Sequence, residues 1–181
     1  MGTERQGLST CRQTNRGGTT SAGCEDVPVY SLDSYLAQHH DDADDSSTIN
    51  YLSIDVEGYD YDVLLGARNH TLRRVEYLEL EYNWMGSWQH QALYDLIRML
   101  DDDFNMTCYW PGTAGRLWRI TDCWLPHYAL HFWSNVACVS RRHAAVAPMA
   151  RRMEGLFLAT LQQGQDARVS NDPFRQARDK K

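Results

Sequence analysis

Between Ile49 and Val56 the apolar side chains Tyr51, Leu52, Ile54 and Val56 fall on both faces of an extended chain. That pattern predicts a strand covered on each side rather than one with a wet face. Asp55 and Glu57 sit at its end. A side-chain period of two aims them the same way if strand geometry continues to Gly58, which supplies the freedom to turn. Asp60 and Asp62 then suit the positive end of a helix, whose Leu64, Leu65 and Leu72 are expected to face the sheet. Val75, Tyr77, Leu78 and Leu80 restart the strand signal, which closes on Glu79 and Glu81. Two strands joined by a helical crossover pair in parallel, and ligand sites of such sheets lie outside the strands' carboxyl ends. Asp55, Glu57 and Glu81 are therefore the candidate chemical groups.

Outside this unit the pattern continues to be readable. Ser31 reads as an N-cap for a helix carrying Asp33 in its first turn and Leu32, Tyr35 and Leu36 at helical spacing. Leu93, Leu96, Ile97 and Leu100 give a second amphipathic helix, which Asp101, Asp102 and Asp103 are expected to end because acids sit badly at the negative pole. Met106 to Trp110 and Leu117 to Thr121 read as strands around Pro111, Gly112 and Gly115, and Asn135 to Ser140 as another. Met149, Met153, Leu156, Phe157 and Thr160 mark a last helix docked on the sheet. Trp84 and Trp88, in the loop from Asn83 to Trp88, either wall a pocket or pack over the sheet edge. Trp124, Tyr128, Phe132 and Trp133 read as packing. Residues 1–26 are too poor in apolar side chains to order themselves and read as a flexible leader, 27–161 as the domain, and 162–181 as a disordered tail.

Length and charge narrow the function. A chain of 181 residues suits one domain with a real core, and 43% hydrophobic with 23% charged residues is ordinary for a globular protein. A net charge of -6 speaks against a phosphate-tracking nucleic-acid binder, and the pairs Arg73-Arg74, Arg141-Arg142 and Arg151-Arg152 read as solvated surface. The run from His39 to Asp45 reads as a solvated loop rather than a metal site. Five cysteines without a C-x-x-C pair read as buried free thiols rather than zinc ligands or a disulfide framework. No apolar run reaches the ~18 residues that cross a bilayer, and no hydrophobic signal core opens the chain. These features point to a soluble, reducing compartment and leave the organelle open.

The segment IDVEGYDYDVLLGA, followed shortly by VEYLELEYNW, resembles the FkbM-type methyltransferase family. Members share a strand ending Ile-Asp-Val-Glu-Gly, an acid two residues later, a Leu-x-Gly-Ala helix and a strand ending in Glu. The resemblance covers Val27 to about Val139. It implies an α/β, Rossmann-like methyltransferase fold with parallel strands and an antiparallel ending, WSNVACVSR being similar to the last strand. It further implies S-adenosylmethionine as cofactor and a hydroxyl of a small molecule or sugar as methyl acceptor. The glycine-rich cofactor turn is not found before Val27. Asn15-Arg16-Gly17-Gly18 lacks the preceding strand and following helix that such a loop needs. The resemblance is therefore to the second half of the family domain.

VYSLDSYL resembles the family's segment before the Asp-bearing strand, which implies that Asp33 contacts the adenine end of the cofactor; the alternative is that it only stabilises a helix start. Methyl transfer needs an acceptor oxygen held in line and a base or metal for its proton. Asp55 as base or orienter, Glu57 on acceptor hydroxyls and Glu81 beside them fit that need, and such oxygen ligands also suit Mg²⁺. The rival reading has Asp55 and Glu57 capping amides of the following helix. A reading from another class is a non-catalytic methyltransferase-like remnant. The family implies a strand beside the Asp55 strand, and its loss leaves an unpaired edge open to a partner or a second copy unless the Val27 segment or a loop covers it.

Overall fold

The computed structural model describes residues 28–39 and 47–163. The leader, the acidic run from His40 to Asp45 and the tail from residue 164 lie outside the described residues, Gln162 being the end of the last helix. Helix α1 spans Leu32–His39 and precedes strand β1 (Ile49–Ile54), short helices α2 (Asp60–Leu65) and α3 (Thr71–Arg74), and strand β2 (Val75–Tyr82). Helix α4 (Leu93–Phe104), strands β3 (Met106–Pro111), β4 (Leu117–Arg119) and β5 (Ser134–Ser140), and helix α5 (Ala147–Gln162) complete the order. The five strands form one mixed sheet in the order β1-β2-β5-β3-β4. β1 and β2 run parallel, as the helical crossover predicts, and the other described pairs are antiparallel, as the resemblance implies for the end of the sheet.

Two cores lie on opposite faces. On one, Leu64, Leu72 and the α4 stripe Leu93, Leu96, Ile97 and Leu100 pack with Ile54, Leu78, Leu80 and Val136. On the other, Met153 and Phe157 of α5 pack with Tyr109, Leu117, Ala137 and Val139. Helix α5 stands over β4 and β5, so among the described residues it leaves the outer part of the second face bare. Tyr51 is 55% exposed there, its ring 5.5 Å from that of Tyr77. Among the described residues β1 is thus the edge strand, without the cover on both faces that its apolar pattern predicts. Its residues Asn50 and Ser53 are exposed as well.

Other expectations are corrected by local geometry. Leu65 is exposed because Leu64 and Ala67 take the sheet-facing positions, one residue being ~100° around a helix from the next. The acids at 101–103 do not end α4, because each meets a cation: Asp101 pairs with Arg141, Asp102 with Arg98 and Asp103 with Arg68. The helix runs on to Phe104, and Asn105 closes it in the left-handed conformation. Cys108 and Cys138 are not free thiols. They face one another in the β3–β5 register and form a disulfide in the core, while Cys123 is free.

Candidate functional site

The parallel register pairs Ile54 with Leu80, so the next step along each strand sets Asp55 beside Glu81 at the carboxyl rim. Glu81 lies on the β2 face that carries Tyr77 and Glu79, and Asp55 follows the last residue of β1. Asp55 is exposed. Glu57 is not held to it by strand alternation: β1 ends at Ile54, and Glu57 takes a left-handed φ of 56°. The rim thus brings Asp55 and Glu81 together by register, while Glu57 stands in the turn beyond.

Two glycines fix that turn. Gly58 has φ 93°, and a Cβ on it would stand 2.5 Å from the Met85 carbonyl carbon and oxygen. A Cβ on Gly86 would meet the Gly58 carbonyl oxygen at 2.5 Å. The Ser87 amide and hydroxyl donate to that same oxygen at 2.9 and 3.0 Å. The turn after β1 and the loop after β2 therefore lie backbone against backbone, at an approach only glycine permits. The sequence pattern assigns Gly58 its turn but not this second demand.

Glu81 is held at every polar atom. Its amide donates to Asp60 Oδ1 at 3.0 Å, and its carbonyl accepts from Trp88 Nε1 at 3.0 Å. Its carboxylate accepts from Asn83 Nδ2 at 2.8 Å on one oxygen and from Trp133 Nε1 on the other. Trp88 is buried core, whereas Trp84 and Trp133 are exposed and meet edge to face with centroids 5.0 Å apart. Trp84 thus packs against Trp133, and Trp133, read from the sequence as packing, donates to the Glu81 carboxylate.

Asp60 is the rim residue that the helix-dipole argument undervalues. It is 0% exposed, and its Oδ2 has no hydrogen-bond partner among the described residues. Burial, opposed by the Glu81 amide and aided by the Glu81 charge, pushes its carboxyl up from an ordinary 3.8 to about 6. The signal was present: Asp60 stands four residues before Leu64, which puts both on the same buried helix face. Asp62, off that face, is exposed.

Asp33 lies away from these groups. Its carboxylate accepts the amides of Asn69 at 2.8 Å, His70 at 3.3 Å and Thr71 at 2.8 Å, and the Thr71 hydroxyl at 2.6 Å. It therefore caps α3, a helix far along the chain, rather than its own. Burial acts to raise its carboxyl, but the Thr71 hydroxyl with the three amides outweighs that and holds it below its ordinary range.

Among the described residues no group of three or more His, Cys, Asp or Glu is placed to hold a metal ion, and no helix is long and apolar enough to cross a membrane. No curated protein and no solved structure matches the chain. The family model described as the methyltransferase FkbM domain matches residues 3–105, starting within the segment whose composition reads as a leader and stopping before β3. That match takes in more than half of the 181 residues and includes both rim carboxylates, so the chain belongs to the FkbM methyltransferase domain family.

Proposed function

We propose that this chain forms the acceptor side of a Rossmann-like, S-adenosylmethionine-dependent methyltransferase that methylates a hydroxyl of a small molecule or sugar. The observation that supports the reading is the β1–β2 register, which pairs Ile54 with Leu80, the residues directly before Asp55 and Glu81, in a parallel pair. In this reading Asp55, exposed to an incoming acceptor, takes the hydroxyl proton. Glu81, whose carboxylate is fixed by Asn83 and Trp133, orients the acceptor, and Glu57 in the adjoining turn binds a further hydroxyl. The exposed faces of Trp84 and Trp133 give the acceptor an apolar surface beside the carboxylates.

The cofactor side is not supplied by these turns. A glycine cradle needs open space where a Cβ would stand, and at Gly58 and Gly86 that space holds the other loop's backbone. The two strand-to-helix turns of the β1–β2 unit therefore do not fit S-adenosylmethionine, and the reading is confined to acceptor binding and proton removal.

The test is transfer of a labelled methyl group from S-adenosylmethionine to a panel of sugars and small alcohols by the full chain. Asp55→Asn is expected to lower turnover by roughly 10²–10⁴-fold, with the far-ultraviolet circular dichroism unchanged. Turnover equal to that of the parent chain removes Asp55 from the chemistry. No transfer to any hydroxyl acceptor removes the reading itself.

A further inference from the structure

The molecule has a second cleft, at the opposite end of the parallel pair from the carboxylates. Ser47 and Thr48 lead into β1, and Arg73 and Arg74 close α3 directly before β2. β5 runs antiparallel to β2, so its carboxyl end arrives on the same side and brings His143 with it. Together with Asn69 and His70 these residues line a cleft of about 280 Å³.

The lining is one-sided in charge. Among the described residues its lining is two arginines, two histidines, a serine, a threonine and an asparagine, with no Asp or Glu. The Asn69 and His70 amides already donate to Asp33, so side chains are what the cleft offers a ligand. Among the described residues Arg68, Arg98, Arg119 and Arg141 each have a carboxylate at ion-pair distance, and neither Arg73 nor Arg74 does. In a chain of net charge -6, two arginines that have no ion pair among the described residues, gathered in a concavity, make a local attractor for anions.

The donors are also held in place. Arg74 Nε donates to the Ser47 carbonyl at 2.6 Å and its Nη2 to the Ser47 hydroxyl, tying the starts of β1 and β2 together. The Arg73 guanidinium stands 5.6 Å from the centre of the Phe104 ring. His143 Nε2 meets the Arg73 carbonyl at 3.1 Å, and because a carbonyl only accepts, that nitrogen carries the hydrogen. The Ser47 and Thr48 hydroxyls from one segment and Arg73, Arg74 and His70 from another approach from different sides, with His143 fastening the Arg73 backbone. Such donors suit a tetrahedral oxyanion, whose oxygens point several ways, better than a planar carboxylate. Arginine is the side chain best matched to phosphoryl oxygens. The volume falls just below the ~300–1,000 Å³ of drug-sized pockets, which leaves room for a phosphoryl group and the first atoms of an ester.

We propose that this cleft is a phosphoryl-binding site, held by Arg73, Arg74, His70 and His143 with the Ser47 and Thr48 hydroxyls, and separate from the rim where methyl transfer is proposed. The sequence pattern read Arg73-Arg74 as solvated surface; the fold gives the pair two imidazoles and a concave setting.

Calorimetric titration of the full chain with inorganic phosphate, at ionic strength held constant with chloride, tests it. One saturable site is expected, and Arg73→Gln should weaken it at least tenfold while Arg152→Gln, an exposed arginine on α5, leaves it unchanged. Should Arg73→Gln fail to fold, proton magnetic resonance on the unaltered chain gives the same answer. Phosphate should then shift the imidazole signals of His70 and His143 saturably and leave that of His90 unmoved. Glycerol 3-phosphate distinguishes the sources: tighter binding than inorganic phosphate identifies an esterified group, equal binding identifies the free ion, and both uphold the site. Absence of saturable binding by either probe, an unmoved pair of imidazoles, or full affinity in a folded Arg73→Gln chain overturns it.

Discussion

The two ends of the β1–β2 pair are fastened by the same device with opposite electrostatic outcomes. At the carboxyl rim Asp60 accepts the Glu81 amide, and at the other end Asp33 accepts the amides of Asn69, His70 and Thr71. Each carboxylate thus joins a helix or turn to the segment beside it. Yet burial pushes Asp60 up to about 6, while four donors hold Asp33 below its ordinary value against a smaller burial. The surroundings follow suit: at one end the strands lead out to Asp55 and Glu81, and at the other the cleft is lined by Arg73, Arg74, His70 and His143. An aspartate that ties two segments together therefore has no fixed proton affinity; the count of donors set against the loss of water decides it.

The strongest way to break this comparison is to part the rim. Gly58→Ala adds a Cβ against the Met85 carbonyl group in a left-handed backbone. Strain and overpacking together are expected to cost roughly 4 kcal/mol, read as a fall in the thermal midpoint with loss of methyl transfer. A chain as stable as the parent would show that the turn after β1 and the loop after β2 are not locked backbone to backbone.

The next effect is the Asp60 titration. Its folded pKa of about 6 lies above the ordinary 3.8, so the native state binds the proton more tightly than the unfolded chain does. The stabilisation is fully present below pH ~4 and is lost as pH rises through 6, a change of up to about 3 kcal/mol. Asp60→Asn removes the titration. Denaturant unfolding from pH 4 to 7 should show the variant gaining on the parent by that amount, whatever its baseline. Parallel pH profiles would mean that Asp60 is not buried as a strained carboxyl.

Much of the architecture could be read from periodicity alone. The α4 stripe places its apolar residues in the core as the spacing predicts, and Val75, Leu78 and Leu80 of the β2 strand signal are buried as well. These are elements whose burial is decided by their own residues. The edge character of β1 does not show in its own pattern, apolar on both faces; it could be read only from the neighbouring strand that the resemblance implies and that is not found. The Cys108–Cys138 bond depends on the β3–β5 register, which local pattern does not reveal. At the candidate site Asp55 and Glu81 could be read because strand ends and parallel pairing follow from chain order. The Gly58–Gly86 contact joins two loops far apart in sequence, and the cleft around Arg73 needs the carboxyl end of β5 beside the starts of β1 and β2.

The smallest effect tests the other end. Because Asp33 has a lowered folded pKa, its contribution carries the opposite sign to that of Asp60: it is present above the unfolded value near 4 and is lost as pH falls through the folded one. The carboxylate is partly exposed, so solvent screens it, and its loss resembles that of an ordinary helix cap. Asp33→Ala is expected to cost about 1 kcal/mol at pH 7 and to leave a chain whose stability falls less on acidification below pH 4. Denaturant titrations at pH 3 and pH 7 decide it. A cost that persists undiminished at pH 3 would mean that Asp33 acts by packing rather than by its charge, and the likeness between the two ends would then extend to their shape but not to their electrostatics.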